Sequence, residues 1–417
     1  MRPNRTGWQW LLVLPALLLA ACGGGGGQAN TSPIKVGYMV PLTGNFASNG
    51  RNEINGFNLG LKDFGDSVNG RKITPIVVDT QADPNTALSQ AHQLVENQNI
   101  DILEGPLAAN EIAAVSAYVG PKGVPTDDLS LCSAVQLDYY VKFNNGLDSG
   151  WACNQPATQG AVYAYNDLHW RHITTIGQDF AFGWLVVGGF AASFKKLGGT
   201  IDKMIWAPNT TLDFSPYVSQ IPSNTDGVFA ELSGQTAVRF TLAYKQFGLK
   251  DKTPLLGITQ LTDYSALPSE DPDAIMGLKT DAQYCDGIDT PENKKFAEEY
   301  KSQYGTYPAY YSDAGYAKAR LLVEALKKVN GSTSDKKAVV KAMRTTAIQA
   351  ARGPVKLSGA PAYSPIQNIY ICQVQNVSGT LRNVPIKTYN NVQPWGPLPQ
   401  KTWEAEYRHD SADRPTP

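Results

Sequence analysis

The run Ile34-Lys35-Val36-Gly37-Tyr38-Met39-Val40, then Pro41-Leu42-Thr43-Gly44, then Ile54, Phe57, Leu61 and Phe64 at spacings of three and four, decides the fold class. The first seven residues are almost all apolar, the pattern of a strand covered on both faces. Proline and glycine then turn the chain, and the spacing that follows is one face of a helix. Outward from this unit the rhythm repeats. Asn69-Gly70 makes a turn and residues 73–79 a second strand. Asp83-Pro84 has the acceptor side chain and preset φ of a helix start, and Ala87, Ala91, Leu94 and Val95 face inward from that helix. Residues 100–103 and 110–118 read as a strand and a helix. The alternation resumes with a strand at 172–176, a helix carrying Val187, Phe190, Phe194 and Leu197, and strands at 201–206, 228–230 and 255–258. Short βα units of this kind build parallel sheets with helices on both faces and right-handed crossovers. Helices dominate 292–343, and 368–374 alternates like an antiparallel strand. No internal repeat is visible. The polar, proline-containing end is expected to fray.

Upstream, Arg2 and Arg5 precede an apolar run, 10–19, too short to span a bilayer, and Leu19-Ala20-Ala21-Cys22 closes it. A charged start, an apolar middle and a small-residue cleavage site make an export signal. Leu-Ala-Ala-Cys resembles the bacterial lipobox, which implies that Cys22 is acylated and becomes the new N-terminus. Five glycines, Gly23 to Gly27, then supply a flexible tether. The expectation is an exported, membrane-anchored protein, periplasmic or on the outer face of the cell membrane.

The chain of 417 residues is long for one core, which points to two domains. Hydrophobic content of 42% with 18% charged residues describes a packed globular protein. The 36 basic and 37 acidic residues are evenly spread, which argues against nucleic acid as a partner. Beyond Cys22 four cysteines remain: Cys132, Cys153, Cys285 and Cys372. An even number in an exported chain reads as two disulfides. Of the possible pairings, Cys132–Cys153, closing a short loop, with Cys285–Cys372 is favoured over the others and over free buried thiols.

Motifs of catalysis are missing. The four histidines, His92, His169, His172 and His409, form no zinc-ligand spacing. There is no Gly-x-Ser-x-Gly elbow, phosphate loop or dinucleotide fingerprint. Asp127-Asp128 and Ser269-Glu270-Asp271 read as solvated loops. The expectation is a binding protein, with no enzyme activity, metal or cofactor.

The stretch 34–50, Asn69 to Ile73, Asp83-Pro84, Gly105-Pro106-Leu107, Gly123-Val124-Pro125, Asp179 to Gly183, Tyr304 to Pro308 and Gly315-Tyr316-Ala317 occur in an order that resembles the leucine/isoleucine/valine-binding family. These are type I periplasmic binding proteins, receptors of ATP-driven importers, and the likeness spans about residues 34–380. The resemblance implies two doubly wound α/β lobes joined by three hinge strands. Carried onto this chain, 1–22 is the lipoprotein signal, 23–33 the tether, 34–153 with 286–364 the first lobe, 154–285 with 365–405 the second, and 406–417 a frayed tail. Cys285–Cys372 then lies just past two hinge crossings. The implied partners are a small molecule and a permease–ATPase complex, with the receptor itself a monomer.

Ligands in open α/β sheets bind beyond the carboxyl ends of strands, here near 41–49, 105–110, 126–132, 178–182, 231–234 and 258–260. The helix starting near Asn110 directs its free N–H groups there, a carboxylate site. The resemblance places the family's ligand contacts on Asn49, Ala109, Ser130, Leu131, Cys132, Phe182, Ser233 and Thr259. Threonine at the position of the family's ammonium-binding acid leaves an amino-acid ligand uncompensated, although nearby Glu231 offers a rescue. Phe182, Phe180, Phe46 and Trp151 supply rings, while Asn49, Asn110, Ser130, Ser233 and Gln235 supply neutral hydrogen-bonding groups. The mixture suits an aromatic or other non-amino-acid carboxylate. The alternatives are a branched-chain or other amino-acid receptor, or a ligand sensor partnering a signalling protein.

Overall fold

The computed structural model describes residues 31–417. The expected signal peptide, Cys22 and nearly all of the expected tether lie outside the described residues. Among those described, no helix is long and apolar enough to cross a membrane.

Two sheets organise the chain. The first contains β1 (Ile34–Val40), β2 (Ser67–Val68), β3 (Arg71–Asp79), β4 (Ile102–Glu104), β5 (Thr126–Leu131) and β6 (Gly146–Ala152), in the order β2-β3-β1-β4-β5-β6. The second is built from β7 (His172–Gln178), β8 (Thr200–Ala207), β9 (Gly227–Glu231), β10 (Leu255–Ile258), β11 (Lys279–Ala282), β12 (Ile348–Ala350), β13 (Gly353–Leu357) and β14 (Pro365–Val377), with β15 (Thr380–Val392) paired to β14. Both have parallel centres: β1 lies between β3 and β4, and β7 between β8 and β9. Strand order therefore reverses beside β1 and again beside β7. A crevice opens outside the strand ends at each reversal.

β1 is buried on both faces, as its apolar run requires. Asp83 caps the helix Pro84–His92, its Oδ1 accepting from the Thr86 N–H at 2.8 Å. The chain returns to the first lobe as the helix Tyr310–Lys328, which packs against Ala47–Phe64. The two backbones approach at Gly56 and Gly315, where a Cβ would strike the carbonyls of Ser312 and Glu53. Both disulfides form in the favoured pairing, with Cα–Cα distances of 5.2 Å for Cys132–Cys153 and 6.6 Å for Cys285–Cys372.

Three readings need correction. Asp127 and Asp128 are not loop residues: both are buried inside β5, and Asp128 accepts from Tyr140 Oη at 2.7 Å and Gln136 Nε2 at 2.9 Å. Glu270 is likewise buried and accepts from Thr241. The tail expected to fray from 406 instead completes the helix Gln400–Asp410, burying Trp403, Tyr407 and Asp410. Its sparse apolar residues are enough because they fall on one face. β13 pairs with β14, while Val355 packs with Ile348 and Ala350 in the first-lobe core.

Candidate functional site

The two crevices face each other and share one hollow, with about 30 Å³ of free space between the side chains that line it. From the first lobe come Phe46, ahead of the helix after β1, and Leu107, Ala108 and Ala109 at the start of the helix Ala109–Val119. Ser130 and Cys132 come from the end of β5 and Trp151 from β6. The second lobe gives Phe180 and Phe182 after β7 and Ser233 after β9, and Tyr311 reaches in from the returning helix. The β5–β6 register slips between Asp128 and Ser130. Such an irregularity re-aims side chains beside a site, and here it stands directly before Ser130.

Rings dominate. Phe180 stands 6.1 Å from Phe182 and 6.4 Å from Phe46 across the lobes, and Trp151 packs edge-on to Tyr310 at 4.5 Å and Tyr311 at 5.8 Å. No charged side chain lines this hollow among the described residues. Its polar groups are hydroxyls and N–H donors. Ser130 Oγ lies 3.0 Å from Cys132 Sγ, and Ser233 Oγ donates to Gln178 Oε1 at 2.9 Å. The indole N–H of buried Trp151 has no hydrogen-bond partner among the described residues. With the backbone N–H groups opening the helix Ala109–Val119, these donors suit a carboxylate.

Some expected residues lie elsewhere. Asn110 turns outward, its Nδ2 donating to the Ala82 carbonyl at 2.9 Å. Asn49 is buried within the helix Ala47–Phe64 and does not line the hollow. Leu131 packs in a core, and its carbonyl accepts from Tyr407. Thr259 is buried while its neighbours Ile258 and Gln260 border a smaller cavity. Gln235 lies on an outer groove with Asn45 and Thr210. Glu231 lines neither space: its Oε2 accepts from the Gln178 N–H at 2.8 Å, and burial pushes its carboxyl up to about 8. The sequence reading missed Tyr311, and it covered Leu107 and Ala108 only as part of the strand end 105–110. Tyr310-Tyr311 at a helix start directly after Tyr307-Pro308 was the available signal.

Among the described residues, no group of three or more His, Cys, Asp or Glu is placed to hold a metal ion.

The family model described as periplasmic binding protein matches residues 33–380. Leu/Ile/Val-binding protein homolog 6 of Brucella melitensis is 28% identical over 368 residues, covering 85% of this chain and 91% of that protein. An ABC transporter substrate-binding protein from Sphaerobacter thermophilus superposes with a TM-score of 0.82 at 28% identity, over 87% of this chain and 99% of that one. A solute-binding protein of an ABC transporter from Rhodopseudomonas palustris BisB5, solved with 3,4-dihydroxybenzoic acid, gives 0.80 at 26% identity, over 87% and 99%.

Proposed function

This chain belongs to the periplasmic binding protein family, and on that premise we propose that it is the solute-binding component of an ATP-driven importer, capturing a small aromatic carboxylate between its lobes. The observation that carries the reading is the ring-lined, charge-free hollow with the unmatched indole N–H of Trp151 at its wall. A bound carboxylate meets the helix N–H groups, Ser130 and Trp151, and its ring lies against Phe182. An α-amino acid would bury its ammonium with no anion in the hollow, at a cost of several kcal/mol. The bound dihydroxybenzoate of the Rhodopseudomonas relative supports the same ligand class.

In this reading the lobes, 34–153 with 286–364 and 154–285 with 365–405, close on the ligand as a monomer and present it to the permease. Cys22 carries the lipid that holds the receptor at the membrane, and two acyl signals or more keep such an anchor stable. Replacing Cys22 with Ser releases the protein into the soluble fraction; a variant that stays membrane-bound overturns the anchor.

Calorimetric titration of the full chain with benzoate, 3,4-dihydroxybenzoate and leucine tests the ligand class. Micromolar or tighter binding of an aromatic acid, raising thermal stability by about 2.7 kcal/mol at a hundredfold excess over Kd, is expected. Leucine binding tighter than either acid overturns the reading.

A further inference from the structure

Behind Phe182 lies a second, smaller hollow, bordered by Cys153, Pro156, Ile258, Gln260, Tyr310 and Asp281 as well as Phe182 itself. It adjoins the main hollow at three places. Phe182 lines both, Cys132 lines one and its disulfide partner Cys153 the other, and Tyr311 and Tyr310 divide in the same way. Phe182, the Cys132–Cys153 disulfide and the Tyr310–Tyr311 pair therefore stand between the two spaces. The inner space has room for about one water-sized group.

Asp281 is the anomaly there. It sits in β11, 1% exposed, between Ile258 of β10 and Ile371 of β14. Neither carboxylate oxygen has a hydrogen-bond partner among the described residues. Among the described residues no cation offsets it, and burial holds its carboxyl well above the usual range. On its other side Gly160 leaves no room for a side chain, since a Cβ there would lie 2.3 Å from Asp281 Oδ2. A buried carboxyl without partners is costly, and here the group lines a cavity that shares the Phe182 ring with the main hollow. A protonated carboxyl both donates and accepts, which matches a hydroxyl.

We infer that the space behind Phe182 is the far end of the ligand site, and that Asp281 selects aromatic carboxylates bearing a hydroxyl on the ring edge opposite the carboxylate. This rests on the proposed ligand class and adds which member of it is preferred. The carboxylate stays at the Ser130 and Trp151 end, the ring passes Phe182, and the hydroxyl occupies the water-sized space at Asp281.

The test titrates the full chain with benzoate, 4-methylbenzoate and 4-hydroxybenzoate. The hydroxy acid is expected to bind at least tenfold tighter than the methyl acid, because a site built to bond a hydroxyl rejects its apolar isostere. Asp281→Ala should bring that ratio close to one, and Asp281→Asn, which keeps a donor and an acceptor, should retain most of it. Methyl and hydroxy acids binding wild type equally overturns this inference while leaving the ligand class standing, and so does a ratio that survives Asp281→Ala. Binding of none of the three overturns the ligand class and this inference together. The wild-type comparison needs no variant, so misfolding of Asp281→Ala does not leave the question open.

Discussion

The ligand hollow and the interior of the first lobe are both buried, but they treat charge in opposite ways. In the first lobe Lys318 is fully enclosed, with Nζ 3.2 Å from Glu104 Oε2 and 3.5 Å from Glu53 Oε1, donating to the Asp127 carbonyl at 3.1 Å. Tyr38 Oη donates to Glu53 at 2.9 Å, and Arg352 pairs with Asp313 at 2.6 Å. The hollow a few residues further along β5 and β6 has no charge at its walls. Perturbed acids often mark functional sites, but in this molecule the dense acid cluster ties the returning helix Tyr310–Lys328 to β1, β4 and β5. The proposed site is instead where N–H donors and rings converge without charge. The difference separates two uses of burial: holding the chain's third segment against its first, and recognising a neutral or anionic ring.

The largest effect should come from breaking the charged region. Lys318→Met strands Glu53, Glu104 and Asp127 without their cation and is expected to cost about 3–5 kcal/mol in urea unfolding. A loss under about 1 kcal/mol would mean that the acids are held protonated without the lysine, which would blur the contrast.

The second largest is a pH effect from the same excess of buried acids. Burial pushes Asp128 and Glu270 up to about 7, and Glu231 to about 8, and holds Asp148 well above the carboxylate range. Unfolded, these groups release their protons near pH 4. Between about pH 4 and 8 the native state therefore binds more protons, and stability falls as pH rises. Melting temperature should drop by several degrees from pH 5 to pH 8.5, and a profile that rises across this window contradicts the assignment.

In the hollow, Phe182→Ala should weaken aromatic-acid binding by about 1–3 kcal/mol, the transfer free energy of a buried ring, with the far-UV spectrum unchanged. Unaltered affinity would move the ring-binding surface elsewhere. The smallest effect is expected from Glu231→Gln. Glu231 lies below the hollow with its carboxyl protonated at neutral pH, so ligand affinity at pH 7 should change by less than about threefold, an effect of about 0.6 kcal/mol. A leucine affinity that this substitution abolishes would restore the amino-acid reading.

Much was determined by local pattern. The double-faced apolar run of β1, the capped start at Asp83, the alternation of strands with amphipathic helices and the even cysteine count each express a short-range rule of sterics, periodicity or redox chemistry. They were enough for parallel α/β sheets, and the family resemblance supplied the two lobes. The family resemblance, not local pattern, placed Ser130, Phe182 and Ser233 at the ligand, with Phe46, Phe180 and Trp151 named as rings beside them, and the structure brings all six around one hollow.

Tertiary structure decided what composition obscures. β5 carries two adjacent acids and reads as a loop until Tyr140, Gln136 and Ser149 are brought to it from elsewhere and give one oxygen of each acid a donor. The helix Gln400–Asp410 is polar by composition, and only Leu131 and Asn154 beneath it explain why Tyr407 and Trp403 face inward. Asn49 and Asn110, polar and near the right strand ends, are turned away by the rotation of their helices. Tyr311 and Asp281 reach the two hollows from segments far along the chain. Periodicity decides which face of an element is buried, because it is a property of neighbouring residues. Which buried group meets a cavity depends on strand order and on the angle at which distant segments pack, and no local pattern in the chain encodes either.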